Sequence, residues 1–199
     1  MKRMPDVCWL LLLILLACSP AREHPSSRDL AEARRELEAR GRIDQAVREG
    51  FGAGAELDTA QIRAMMRTDS ANTTWLKAYV ARWGWPTSAQ VGHDAVEAAF
   101  LIVQHAVHDT GFMRSMLPAI ERAHERGDLD GNAVAMLIDR LEVKAGLPQV
   151  YGTQLSFHDG RWVLDPIADS AHVDDRRRRM GMLLLGEYLR KADSALGVR

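Results

Sequence analysis

The sequence of 199 residues contains little cysteine, few aromatic side chains and no excess of charge of either sign. Its two cysteines, Cys8 and Cys18, lie in the first 18 residues, so the rest of the chain has no disulfide, thiolate metal site or cysteine nucleophile. A formal net charge of −1 provides no basic surface of the kind that binds nucleic acid. The 47% hydrophobic and 27% charged content is typical of a globular protein. We therefore expect one folded domain and no nucleic-acid partner.

The sequence also lacks an apolar run of the roughly 20 residues that a membrane-spanning helix needs. A shorter apolar run, Val7–Ala17, follows the basic residues Lys2 and Arg3 and ends at Cys18. A basic segment followed by a short apolar segment is typical of a secretory signal peptide. The sequence Leu15-Leu16-Ala17-Cys18 resembles the lipobox of bacterial lipoproteins, which implies cleavage before Cys18 and lipidation of its thiol. A plain signal peptide cut elsewhere and an uncleaved anchor are the alternatives.

The lipobox resemblance divides the chain into three predicted regions. We expect a signal peptide over residues 1–17, the lipidated cysteine with a flexible tether over 18–27, and a helical domain over 28–199. The tether holds two prolines and three serines without apolar periodicity. Ser19 replaces the Asp that usually retains enterobacterial lipoproteins in the inner membrane. The sequence therefore favours export across the inner membrane and anchoring on the periplasmic side of the outer membrane.

Helical periodicity and capping residues dominate the remaining chain. They predict helices over about 28–50, 58–67, 69–82, 92–107, 110–125, 130–146, 173–179 and 183–196. Gly41 is expected to bend or break the first of them. Two short strands, 150–157 and 161–164, flank an Asp159-Gly160 turn. The predicted fold is mainly α: a single compact multi-helix domain with one small β-hairpin, α+β at most.

The helix predicted over 92–107 is apolar over most of its circumference and carries a narrow polar stripe without Lys or Arg. At 100° per residue the stripe comprises His93, Asp94, Glu97, Gln104, His105 and His108. We expect this helix at the centre of the domain, with the stripe lining a ligand cleft, facing solvent or forming a satisfied polar core. His93 and His108 lie about 22 Å apart along the helix, too far to share a metal. A zinc site here would need a ligand from another element, and we predict no metal site.

Several short motifs follow one another along the chain. They are Asp44-Gln45 with Arg48, Asp69 with Asn72, Trp83–Thr87, Gly92, Gln104-His105 with His108-Asp109, Asp139-Arg140, Tyr151–Gln154 and Val173–Arg177. In this order they resemble the pattern of a bacterial domain of unknown function: W-P, Q-H-A-D-x-D or Q-H-A-D-H-D, D-R, Y-G-T-Q and V-D-E-R-R. The chain departs at Val107, where the pattern has Asp, and at Asp175, where it has Glu. Loss of the acid beside His105 weakens any scheme that makes His105 a ligand or base.

The matched positions define the candidate site, because the resemblance implies positions rather than chemistry. The ligand-binding candidates are Gln104, His105, Asp139, Arg140, Tyr151, Thr153 and Gln154. The catalytic candidates are His105, His108, Asp109 and Asp139, with a histidine as general base or metal ligand and Asp109 or Asp139 orienting it.

Three functions remain open at this point. The first is an envelope binding module whose polar cleft takes a small polar ligand or an envelope protein. The second is a His/Asp-dependent hydrolase, with or without a metal. The third is a scaffold in which the same polar residues only hold loops together. The sequence identifies no cofactor and no oligomeric state.

Overall fold

The computed structural model describes residues 24–49, 58–159 and 161–196. Within these ranges, eight helices and one two-stranded antiparallel sheet confirm the predicted mainly helical fold. The predicted signal peptide, Cys18, the first part of the tether, the end of the first helix at Gly50 and the turn residue Gly160 lie outside the described residues. None of the described helices is both long enough and apolar enough to cross a membrane.

Eight α-helices are present within the described ranges. They are α1 (Ser27–Ala46), α2 (Thr59–Trp83), α3 (Ser88–Val91), α4 (His93–His105), α5 (Thr110–Glu125), α6 (Gly131–Lys144), α7 (Val173–Arg179) and α8 (Leu185–Leu196). Side-chain caps begin four of them, at Ser26, Asp58, Asp109 and Asp130, because each side chain accepts a free backbone N–H of the first turn. The cap of α5 is thus Asp109 rather than the expected Thr110.

Two predicted interruptions in the helices are wrong. Helix α1 continues through Gly41, which is a glycine because a Cβ there would lie 2.8 Å from Cβ of Ala98 on α4. Helix α2 is one element of 25 residues instead of two. Asp69 does not cap a second helix, since its carboxylate is buried and accepts a hydrogen bond from Arg48 of α1.

Helix α4 lies at the centre of the domain, as its apolar circumference predicts. It contacts α1, α2, α3, α5 and α6, and its buried face includes Ala95, Val96, Ala99, Ile102 and Val103. Helices α1 and α4 run side by side in the same direction, since Gly41 meets Ala98 and Asp44 meets His105. Their C-terminal ends therefore come together, which brings polar residues from both helices to one point.

The hairpin is shorter than predicted. Its strands are β1 (Leu155–His158) and β2 (Arg161–Leu164), with Leu155 opposite Leu164. The segment 151–154, expected as strand, forms a loop instead, and Gly152 within it has a φ of +74°. The loop does not extend the strand because its backbone N–H groups bind a side chain of α6 rather than a neighbouring strand.

Candidate functional site

His105, the last residue of α4, forms a hydrogen bond with Asp44 of α1. Its Nδ1 lies 2.9 Å from Oδ1 and 3.0 Å from Oδ2 of Asp44. Asp44 is completely buried, whereas the side chain of His105 is 17% exposed. Because a carboxylate only accepts hydrogen bonds, the proton of a neutral His105 ring lies on Nδ1. Nε2 then carries a lone pair, and it has no hydrogen-bond partner among the described residues.

Arg48 links Asp44 to a second buried carboxylate on α2. Its Nη1 donates to Oδ1 of Asp44 over 2.9 Å, and its Nη2 donates to Oδ1 of Asp69 over 2.6 Å. Gln45 adds a hydrogen bond of 2.8 Å to Oδ2 of Asp44. The buried charge of Asp44 is therefore paired and hydrogen-bonded, as a buried carboxylate requires. We call Asp44, Arg48, Asp69 and His105 the His105 cluster.

The His105 cluster could offer three ligand atoms to a metal. One carboxylate oxygen each of Asp44 and Asp69 and a ring nitrogen of His105 lie within 4.8 Å of one another. Arg48 already binds both carboxylates, so a cation between them would meet the guanidinium charge at close range. The donor set therefore fits an arginine between two aspartates better than it fits a metal ion.

Arg140 of α6 approaches the end of α4 that carries His105. Its Nη1 donates to the backbone oxygen of Gln104 over 2.8 Å, and its Nε donates to Oε1 of Gln154 over 3.0 Å. Burial, and then the charge of Arg48, lower the pKa of Arg140. Arg48 reaches His105 through Asp44, and Arg140 binds the neighbouring Gln104, so both guanidinium groups serve the same end of α4. Arg140 forms no ion pair with any residue that the structure describes.

Gln104, a predicted ligand-binding residue, is buried next to His105. Gln104 is only 1% exposed. Neither its Oε1 nor its Nε2 has a protein partner within the described ranges. A buried amide without partners is costly, so Gln104 is not a satisfied core residue.

Asp139, predicted as catalytic or orienting, instead holds the 151–154 loop. Its Oδ1 accepts the N–H groups of Val150 and Tyr151 over 2.7 and 2.8 Å. Its Oδ2 accepts both the N–H and the hydroxyl of Thr153 over 2.9 Å. Asp139 is completely buried, and these four bonds fix the loop. Asp44 orients the ring of His105. This corrects the expectation that Asp109 or Asp139 orients it.

Further buried groups complete the support of the loop. Gln149 donates to the backbone oxygens of Gln154 and Asp165 and accepts the N–H of Gln154. Arg177 of α7, which is 1% exposed, donates to the oxygen of Tyr151 over 2.7 Å. Burial, reinforced by the charge of Asp139, raises the pKa of the Tyr151 hydroxyl, which stays protonated. These contacts assign Thr153 and the Tyr151 backbone to loop structure and leave Gln154 as the link to Arg140.

The two remaining catalytic candidates lie in the turn between α4 and α5. His108 is exposed and follows the end of α4, so it is not part of the helical stripe. Asp109 caps α5 through the N–H of Phe112 and pairs with Lys77 of α2. The hydrogen bond from Lys77, followed by that from Phe112, lowers the pKa of Asp109. Within the described part of the chain, neither residue forms a hydrogen bond or an ion pair with His105.

A groove of about 590 Å³ runs between α1 and α4. Gln45, Glu97 and Leu101 are among the residues that line it, whereas the seven predicted ligand-binding residues are not. Gln45 also donates to Asp44, so the groove borders the His105 cluster. Asp94 and Glu97 of the predicted polar stripe line this groove, whereas His105 of the same stripe lies in the adjoining His105 cluster.

Three residues of the His105 cluster were not among the predicted site residues. Asp44, Arg48 and Asp69 were part of the resemblance, and their place in the motif order was the signal that could have identified them. They were missed because the acid beside His105 was sought at position 107. Val107 is 40% exposed in the turn after α4, and the acidic partner comes from α1 instead.

The comparison with known families identifies the chain. A model for a family of unknown function, DUF6624, matches residues 31–199. The chain belongs to this family. No curated protein and no solved structure matches it. The DUF6624 match contains all four residues of the His105 cluster together with Arg140, Asp139 and the 151–154 loop, and it confirms the resemblance to a domain of unknown function.

Proposed function

We propose that this DUF6624 protein is a bacterial envelope lipoprotein whose helical domain is a hydrolase, with His105 as the general acid–base residue. The observation that carries the proposal is the hydrogen bond between His105 Nδ1 and the buried Asp44 carboxylate, which leaves Nε2 of this partly exposed side chain without a partner among the described residues. A histidine held in this way is a recurrent device for proton transfer.

Each member of the His105 cluster has a defined part in the proposed chemistry. Nε2 of His105 takes a proton from an attacking water, and the resulting imidazolium returns it to the leaving group. Asp44 fixes the ring and stabilises the imidazolium, as the carboxylate of a catalytic triad does. Arg48 holds Asp44 in place and neutralises its buried charge. General acid–base catalysis of this kind contributes about 10²–10⁴-fold to a rate.

The test compares hydrolysis by the full chain, purified in detergent, with that of single variants. The substrates are 4-nitrophenyl esters of carboxylic and phosphoric acids. We expect His105→Gln to abolish turnover and Asp44→Asn to reduce it strongly, whereas His108→Gln, which alters an exposed histidine, leaves it unchanged. Equal turnover by the wild type and His105→Gln, or no turnover on any ester, would contradict the hydrolase.

NMR tests the tautomer independently of activity. We expect the long-range ¹H–¹⁵N spectrum of neutral His105 to show a protonated Nδ1 and an unprotonated Nε2. A proton on Nε2 instead would remove the proposed general base.

A binding module is the second candidate, and the groove between α1 and α4 favours it. In that case a ligand occupies the groove beside Gln45 without being converted. Turnover by the wild type separates the two functions, because a binding module hydrolyses none of the esters.

A further inference from the structure

The cationic group of Arg140 has no acidic partner among the residues that the structure describes. Two of its donors are used by neutral acceptors, the Gln104 backbone oxygen and the Gln154 side chain. Its Nη2 has no partner among the residues that the structure describes. This atom is not fully buried. The guanidinium is therefore fixed in orientation while its Nη2 donors have no partner within the described ranges.

The charge of Arg140 itself favours an anion at this place. The carboxylates of Asp44 and Asp69 bind Arg48, and no carboxylate among the described residues pairs with Arg140. Proton uptake by His105 would add another positive charge close by. Because both carboxylates bind Arg48, the positive charge at Arg140 favours an oxyanion, which an arginine binds through charge-assisted hydrogen bonds.

We propose that Arg140 binds an oxyanion of the substrate, a phosphate or carboxylate group, beside His105. The proposal deepens the proposed function, because it names the chemical class on which His105 would act. Gln154 and the Gln104 backbone orient the guanidinium. Asp139 contributes indirectly as a positioning residue, since it fixes the loop that carries Gln154.

The test measures binding of inorganic phosphate and, separately, of acetate to the full chain in detergent. Chloride at matched ionic strength controls for screening. We expect either phosphate or acetate to raise the melting temperature of the wild type, and we expect Arg140→Gln to weaken that ligand about tenfold or more, as loss of a charge-assisted hydrogen bond predicts. Arg114→Gln, which removes an exposed arginine of α5, is the matched control and retains wild-type affinity. The anion that binds more tightly identifies the substrate oxyanion as a phosphate or a carboxylate group.

A second measurement does not depend on the folding of the Arg140 variant. Diethyl pyrocarbonate modifies accessible histidines, and mass spectrometry reads each site. We expect the bound anion to slow modification of His105 in the wild type and to leave the exposed His108 unaffected. Equal modification of His105 with and without both anions would overturn the proposal, as would anion affinity unchanged in a folded Arg140→Gln variant.

Two outcomes separate this proposal from the proposed function. Hydrolysis that depends on His105 but proceeds unchanged in Arg140→Gln would overturn the anion site and leave the acid–base role standing. Anion binding that depends on Arg140, with no turnover in the wild type, would overturn the hydrolase only. A melting temperature raised by zinc or manganese instead, and not in Asp69→Asn, would identify a cation site and overturn the proposal.

Discussion

Gly41 of α1 packs directly against Ala98 of α4, because a Cβ on Gly41 would lie 2.8 Å from Cβ of Ala98. Three residues after Gly41, Asp44 binds His105. The spacing of the helices thus fixes the distance between the carboxylate and the imidazole.

Gly41→Ala tests this coupling. The added methyl group forces α1 away from α4, and we expect a loss of about 1–3 kcal/mol in the free energy of unfolding from overpacking. It also weakens the His105–Asp44 hydrogen bond, so turnover falls with stability. Urea unfolding and ester hydrolysis measure the two effects.

Gly111→Ala is the matched control for Gly41→Ala. Gly111 lies in the first turn of α5, where the nearest atom to an added Cβ is a side-chain oxygen of Asp109 at 3.6 Å. We expect a gain of up to about 1 kcal/mol, since alanine favours a helix over glycine. Equal effects of the two substitutions would contradict a specific contact at Gly41.

Asp139→Asn separates the supporting network from the chemistry. Asn keeps the size of Asp139 but loses the charge and one acceptor oxygen, and its amide group faces N–H donors of the 151–154 loop. We expect a loss of about 1–3 kcal/mol in the free energy of unfolding for the broken bonds. The neutral Nδ1–H tautomer of His105 should persist in the NMR spectrum, because Asp44 is untouched. Loss of that tautomer with full stability would show that Asp139 acts on the imidazole directly.

Helix positions were predictable because their signals are local. The carboxylates of Asp58 and Asp130 accept N–H groups within the next turn, and the apolar face of α4 is readable from its own residues. The role of Gly41 depends on Ala98, which lies 57 positions later in the chain. No periodicity within α1 contains that information, so the glycine was interpreted as a break.

The partner of His105 could not be predicted from the sequence for the same reason. Asp44 and His105 are 61 positions apart, and only the parallel packing of α1 on α4 brings them together. The motif order nevertheless contained both residues. Arg140, Gln154 and Gln104 were predicted as neighbours, and the structure joins them through two hydrogen bonds of Arg140.

Acid destabilisation has an identifiable source in Asp128. Burial raises its pKa, but hydrogen bonds from Ser88 and Arg126 outweigh that effect, and the pKa lies below its usual value. A carboxyl group with a lowered pKa in the folded state stabilises the protein above the unfolded-state pKa of about 4. This contribution disappears as the pH falls through the lower pKa of the folded state.

Asp128→Asn tests that source. We expect the variant to melt below the wild type at pH 6, and the difference in melting temperature to shrink steadily between about pH 4 and pH 2. Asp130→Asn serves as a control, because Asn is also a good helix cap. A difference between wild type and Asp128→Asn that is constant from pH 6 to pH 2 would contradict the lowered pKa.

The proposed lipid anchor depends on one of two cysteines, which makes a matched pair of variants available. If the chain is cut before Cys18, Cys8 leaves with the signal peptide and only Cys18 carries lipid. We expect Cys18→Ser to abolish incorporation of labelled palmitate and to move the protein from the membrane fraction to the supernatant. The reason is that two or three acyl chains give lasting attachment and none remains without Cys18. Cys8→Ser should change neither labelling nor fractionation. Labelling that persists in Cys18→Ser, or that is lost in Cys8→Ser, would show that the lipobox interpretation is wrong.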